Sequence, residues 1–232
     1  MNLSNNTVLI TGGASGIGLS LTSHFVQSGS TVVICGRDKH KLEEAKAKHP
    51  QITTYVCDVA NSGERTSMSK WMSNEFPKLN ILVNNAGIQR RGLQLAQEQS
   101  WETLREEITI NLEAPIHLSM LFIPQLAKQE NPAIINVTSV LAFAPLAIVP
   151  IYSATKAALH SFTLSLRQQL IDSPIAVIEI IPPAVNTDLG GKGLHTFGVD
   201  VNEFTNAIVN QLVSGQIEAS YDPAARAHQP GN

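Results

Sequence analysis

A doubly wound α/β domain, a parallel sheet with helices on both faces, is the fold class that three features of this 232-residue chain predict. Short apolar runs alternate from end to end with longer amphipathic ones, the rhythm of strand and crossover helix. The first apolar run ends in the glycine-rich GGASGIG, inside which a helical pattern begins. No internal repeat or polar linker divides the chain, and its length suits one such domain. Residues 1–221 therefore read as one unit, and 222–232, without apolar periodicity, as a flexible tail.

Charge and composition narrow the partners. The 16 Lys and Arg are scattered against 19 Asp and Glu, leaving −3 overall, so no basic stripe points to nucleic acid. Small molecules are the expected partners. The N-terminus lacks a basic leader pattern and no apolar run approaches the roughly 18 residues of a spanning helix, so a cytoplasmic protein without membrane insertion is expected. Cys35 and Cys57, each at a strand end, read as small core residues and not as a disulfide. Seven histidines share no ligand spacing, so no metal is expected.

Thr7 to Thr11 reads as the first strand, and the helix after it runs to Gly29. Between them Gly12, Gly16 and Gly18 permit a tight turn, and the helix N-terminus offers N–H groups to a pyrophosphate. The loop from Thr11 through Ser15 and Ile17 to Gly18 is the expected phosphate cradle. The second strand, Thr31 to Cys35, ends at Arg37-Asp38. In dinucleotide-binding folds an acid at this point takes the ribose hydroxyl of NAD, whereas an arginine suits the 2′-phosphate of NADP. Arg37 thus favours NADP(H), and NAD(H) stays possible because Asp38 is adjacent.

A surface helix over Lys39 to Lys48 leads to a third strand, Ile52 to Cys57, and then to Asp58, which can cap the next helix, Ser62 to Phe76. The strand Ile81 to Val83 opens into Asn84-Asn85-Ala86-Gly87, where small residues let backbone run beside a ligand and amides can tie strand ends together. The polar loop 89–99 is placed at the substrate entrance. Trp101 to Lys128 reads as one helix bent at Pro115, whose missing N–H frees the carbonyl of Asn111. Ala133 to Thr138 is the fifth strand and delivers Ser139 at its carboxyl end, where ligands bind in open parallel sheets. The apolar loop 141–150 covers or lines the pocket. Tyr152 and Lys156 stand four apart on the next helix, one turn apart on one face, so a cation beside a phenol can bring Tyr152 into use as a general acid or base. The sixth strand, Ile175 to Ile181, ends in Pro182-Pro183. A short glycine-rich segment from Gly190 to Gly198, a helix from Val201 to Ser214 and a strand from Gln216 to Ser220 complete the pattern.

Ser139 with Tyr152-Ser-Ala-Thr-Lys156, together with Thr11–Gly18, Asn84–Gly87, Asn111 and Pro182–Thr187 in order, resembles the short-chain dehydrogenases/reductases. The likeness covers about Asn5 to Ser220. It implies a single-domain Rossmann fold and hydride transfer between a nicotinamide and a small alcohol or carbonyl. Ser139 would orient the substrate oxygen and Tyr152 move the proton. Lys156 would lower the Tyr152 pKa and grip the nicotinamide ribose, and Asn111 would hold a relay water. Asp58 and Val59 would contact adenine, Asn85, Ala86 and Gly87 would form cofactor wall, and Pro182, Val185 and Thr187 would face the nicotinamide. Pro183 stands where relatives have glycine, which removes one N–H. The segment 190–198 is short for the family's lid, and the helices carrying Asn111 and Tyr152 imply a homodimer or homotetramer. Runs such as NNAGIQ and ATKAALHSFTLSLR resemble the DltE-type branch. A cofactor-binding sensor without turnover, or an esterase built on Ser139, Tyr152 and Lys156, is the alternative.

Overall fold

A computed structural model describes residues 1–221; the expected tail, 222–232, lies outside the described residues. Seven strands form one parallel sheet in the order β3-β2-β1-β4-β5-β6-β7. They are β1 (Thr7–Thr11), β2 (Thr31–Gly36), β3 (Thr53–Val56), β4 (Ile81–Asn84), β5 (Ala133–Val137), β6 (Ala176–Ile181) and β7 (Glu218–Ser220). Their helices are α1 (Gly16–Gln27), α2 (Lys39–Lys48), α3 (Ser62–Glu75), α4 (Trp101–Ile108), α5 (Ala114–Leu126), α6 (Pro150–Gln169) and α7 (Val201–Val213). The Rossmann-type single domain expected from the alternation is the fold observed.

Side-chain alternation along the strands splits the core into two layers. On β1, Val8 and Ile10 join a cluster with Leu21 and Phe25 of α1 and with Phe204 and Ile208 of α7. Leu9, between them, faces the other way and packs with Met68 and Met72 of α3, Phe122 of α5 and Leu166 of α6. Both faces of the sheet are thereby covered, which is why its strands read as nearly unbroken apolar runs. Burying each such side chain contributes roughly 1.5–3 kcal/mol relative to exposure.

Capping follows the local sequence. The Asp38 carboxylate accepts the Lys41 N–H to start α2, Asn61 accepts from Gly63 and Glu64 at α3, and Asp200 accepts from Asn202 and Glu203 at α7. Pro150 occupies the first turn of α6, where its missing N–H costs nothing.

One element departs from expectation. The continuous, bent helix expected over Trp101 to Lys128 is two helices joined by a π-helical turn, Thr109–Glu113, containing Asn111. Pro115 has no N–H to offer the Asn111 carbonyl, and the turn ahead of it is widened to the π form. Register aligns the carboxyl ends of the central strands, pairing Thr11 with Cys35, Asn84 with Asn136 and Val137 with Ile180. The loops after β1, β4, β5 and β6 therefore share one edge of the sheet. Among the described residues no helix is long and apolar enough to cross a membrane.

Candidate active site

Along that edge runs a cleft of about 1010 Å³. It straddles the gap between β1 and β4, where the strand order reverses, the usual ligand position in open α/β sheets.

One end is made of backbone. Gly12 has φ +64° and Gly16 φ +51°, conformations that other residues resist. A Cβ on Gly18 would stand 2.3 Å from the Gly12 carbonyl oxygen, so α1 can begin this close to the turn only without one. Ser15 precedes α1 without its side chain taking a backbone N–H. Ser15, Gly16 and Ile17 line the cleft, and the first turn of α1 faces it. Thr11 and Gly18 lie beneath this surface. The Thr11 hydroxyl donates to the Val83 carbonyl and accepts the N–H groups of Asn85 and Ala86 at 3.0 Å. Gly13, passed over in the sequence, packs where a Cβ would come within 2.6 Å of Ile34, so the doubled glycine was the available signal.

Asn85, Ala86 and Gly87 form the opposite wall. The Asn85 amide donates to the carbonyls of Thr11 and Gly12, at 3.0 and 3.2 Å, lacing β4 to the glycine turn. Asn84 donates to Asn136 at 2.9 Å, and Asn136 donates to Thr163 at 2.9 Å, so amides do tie the strand ends together.

Beyond the glycine turn Arg37 also lines the cleft. Its guanidinium pairs with Glu106 at 3.0 Å, and Glu106 also takes Arg90. These two arginines hold the Glu106 carboxyl below the usual range, Arg37 foremost. Asp38 is engaged as the α2 cap. Asp58 and Val59 are not among the cleft walls: the Asp58 carboxylate accepts the Ala60 N–H at 3.0 Å, and the Val59 carbonyl accepts Arg65 at 2.6 Å. Nor does Asp58 cap α3, since Asn61 does so.

At the other end Ser139, Tyr152 and Lys156 line the cleft together. Ser139 closes β5 and accepts the Leu141 N–H at 3.1 Å, starting a short 3₁₀ turn, Val140–Ala142. Its hydroxyl also faces the Tyr152 phenol and works to lower its pKa. Lys156 donates to the Val137 carbonyl at 2.7 Å, with its ammonium 5.6 Å from the Tyr152 ring centre. Asn111 stands behind this row. Its amide pairs with both backbone groups of Ile88, at 2.9 and 2.8 Å, and reaches Thr155 at 3.2 Å. A Cβ on Gly87 would lie 3.3 Å from the Asn111 oxygen and 3.8 Å from the Lys156 nitrogen, so glycine lets the three approach.

The expected depression of the Tyr152 pKa by Lys156 is not what this cleft shows. Burial pushes the phenol up to about 12; the Ser139 hydroxyl offsets part of this and the charge of Glu107 adds to it. Burial also pulls Lys156 down to about 8. Desolvation is the largest influence on the phenol and lowers the amine as well.

The remaining walls come from the segments after β4, β5 and β6. Pro182, Pro183, Val185 and Thr187 follow β6, with the Thr187 methyl 3.2 Å from a Cβ position on Gly16. Leu141, Leu146, Ile148 and Val149 come from the apolar loop, and Gln89, Arg90 and Arg91 from the entrance loop. The short glycine-rich segment closes down on the latter, since Gly190 leaves only 2.8 Å between a Cβ position and the Gln89 carbonyl oxygen. One side chain that lines this mouth, His195, was given no site role in the sequence. It belongs to no spaced pattern.

A glycine-turned cradle and a buried Ser-Tyr-Lys set facing one cleft define a nucleotide-dependent oxidoreductase of the doubly wound class. The family model for short chain dehydrogenase matches residues 6–196. The chain is 47% identical over 226 residues to DltE of Bacillus subtilis (strain 168), an uncharacterized oxidoreductase, covering 94% of this chain and 88% of that one. A short-chain dehydrogenase from Sphingobium yanoikuyae, solved in complex with NADPH, superposes with a TM-score of 0.84 at 27% identity, covering 96% of this chain and 91% of the other. A second, from Burkholderia phymatum in complex with NAD, has a TM-score of 0.86 at 18% identity over 98% and 92% of the two chains, a likeness of fold. The protein belongs to the short-chain dehydrogenase/reductase family.

Proposed function

We propose that the protein is an NADP(H)-preferring oxidoreductase that interconverts a small carbonyl compound and its alcohol, with Tyr152 as general acid and base. The observation that carries the reading is the joint burial of Ser139, Tyr152 and Lys156 at one end of a cleft whose other end is the glycine turn and Arg37. The cleft along Gly12, Gly16 and the first turn of α1 fits a pyrophosphate, and Arg37 fits a 2′-phosphate. The cofactor, when bound, supplies or accepts the hydride.

In the reducing direction Ser139 holds the substrate oxygen and Tyr152 gives it the phenolic proton while the neighbouring carbon takes the hydride. A phenol near 12 keeps its proton at neutral pH and so starts this step in the right state. Lys156 is set to grip the nicotinamide ribose. Asn111, behind Gly87 and beside Lys156, is placed for the relay that returns the proton from solvent. Asn85, Ala86, Gly87, Pro182, Val185 and Thr187 serve as cofactor walls, with Thr11 and Gly18 as their support. Asp58 and Val59 would take part only through the backbone they shape. The NADPH complex of the similar Sphingobium enzyme supports the preference drawn from Arg37. A cytoplasmic setting suits the two buried thiols. The exposed Met120 and Leu164, on α5 and α6, suit a homodimer or homotetramer.

Titrating NADPH and NADH by fluorescence, then following a carbonyl panel at 340 nm, tests the reading. Tighter NADPH than NADH binding with turnover of at least one carbonyl is expected. Failure to bind either nucleotide would overturn it in favour of a hydrolase, and binding with no turnover across the panel would favour a sensor.

A further inference from the structure

Tyr152, Lys156 and His160 recur every four residues on α6, so the imidazole sits one turn beyond Lys156 on the same face. His160 does not line the cleft. Its Nδ1 instead meets both carboxylate oxygens of Glu179, at 3.0 and 2.9 Å. Glu179 is fully buried in the middle of β6, between Ile178 and Ile180. A carboxylate in such a place is costly unless its oxygens are taken up. Besides His160, Thr138 meets it, with its hydroxyl donating to Oε1 at 2.6 Å.

Thr138 is the residue before Ser139, and its backbone N–H donates to the Ile180 carbonyl at 2.9 Å. On the far side of Ser139, the ring of Phe143 meets the His160 ring edge-on with centroids 4.6 Å apart. Six residues, 138–143, carry the hydroxyl that faces Tyr152, and His160 holds both ends of them: one through Glu179 and Thr138, the other through Phe143. With two carboxylate oxygens opposite, Nδ1 is the donor, which fixes the tautomer.

We propose that His160 and Glu179 are positioning residues for Ser139, setting where its hydroxyl stands relative to the Tyr152 phenol. Neither touches substrate, cofactor or a reacting atom. The inference rests on the oxidoreductase reading given above. Its effect enters through geometry, because misplacing a catalytic group by about 1 Å can cost on the order of 10²-fold in rate.

The test compares His160→Ala with His160→Asn, whose amide N–H falls near the position of Nδ1, and with Phe143→Ala, an exposed residue whose loss leaves folding intact if His160→Ala does not fold. On a carbonyl that the wild type reduces, His160→Ala should lower kcat by about 10- to 100-fold. The NADPH dissociation constant should stay within about twofold, a split that general loosening of the fold would not give. His160→Asn should recover most of the loss, and Phe143→Ala should lower kcat several-fold. Unchanged kcat in folded His160→Ala, NADPH binding that weakens in step with kcat, or His160→Asn no better than His160→Ala would each overturn the proposal. Should the wild type reduce nothing, the catalytic reading fails by itself. The positioning claim is then decided by crystal structures of wild type and His160→Ala: a Ser139 hydroxyl shifted by more than about 0.5 Å supports it, and an unmoved one overturns it.

Discussion

Lys156 and Arg37 are both cations on the wall of one cleft, yet Lys156 is 4% exposed and donates to a backbone carbonyl, while the Arg37 side chain is 55% exposed and shares a carboxylate. The difference separates two ways of using charge. At the Tyr152 end, burial shifts the protonation equilibria and fixes each group by hydrogen bonds to elements that cannot move without opening the core. At the Arg37 end, water and salt screen the charges, the side chains keep their freedom, and a contact can be exchanged for a ligand at small cost. Under the proposed function, chemistry belongs at the first end and discrimination between nucleotides at the second.

The strongest way to break the comparison is at the buried end. Tyr152→Phe removes the transferable proton and should lower turnover by about 10²- to 10⁴-fold in a 340 nm assay, with NADPH binding nearly intact. Retained turnover would show that another group moves the proton.

Lys156 sharpens it through pH. Its folded-state pKa is lowered from the ordinary 10.5 to about 8, so between those values the unfolded chain holds more protons than the native one. Stability therefore rises with pH across that window, and below pH 8 the full cost of burying the ammonium is present. In urea titrations without cofactor, the wild type should gain on Lys156→Met between pH 7.5 and 10.5 by on the order of 3 kcal/mol. A constant difference would mean that the amine is not desolvated.

At the exposed end the expected effects shrink. Arg37→Ala should weaken NADPH by about 10- to 100-fold, the worth of a charge-assisted hydrogen bond, while NADH binding measured by fluorescence stays the same. Equal losses for both nucleotides would place Arg37 elsewhere than on a 2′-phosphate. Glu106→Gln, which removes the competitor for Arg37, should tighten NADPH by about fivefold at most, with little change in Tm. A large stability loss would contradict the view of this pair as a surface contact.

The motifs that could be read in the sequence are those whose parts are local. Gly12, Gly16 and Gly18 lie in one turn, and Tyr152 and Lys156 in one turn of helix, so spacing alone brings each set together. Asn111 was legible through Pro115, although the π form of the turn that holds it was not. What spacing does not carry is pairing across the fold. Glu106 meets Arg37 across 69 positions, and Thr138 meets Glu179 across 41. In the sequence Glu179 is one acid in an apolar strand, with nothing nearby to name its partner. The same limit hid the hold of Arg65 and Glu64 on α3 over the backbone at Val59 and Asp58. The burial that shifts Tyr152 and Lys156 was not legible for a physical reason: proximity is visible in a helical spacing, and desolvation is not.

The central claim is that one nucleotide spans both ends of this cleft, and a crystal structure with NADP⁺ tests it most directly. The account predicts the pyrophosphate over Gly12 and Gly16, the 2′-phosphate on Arg37 in place of Glu106, and the nicotinamide ring beside Tyr152. A nucleotide lying in the reverse sense, or bound away from the glycine turn, would contradict it.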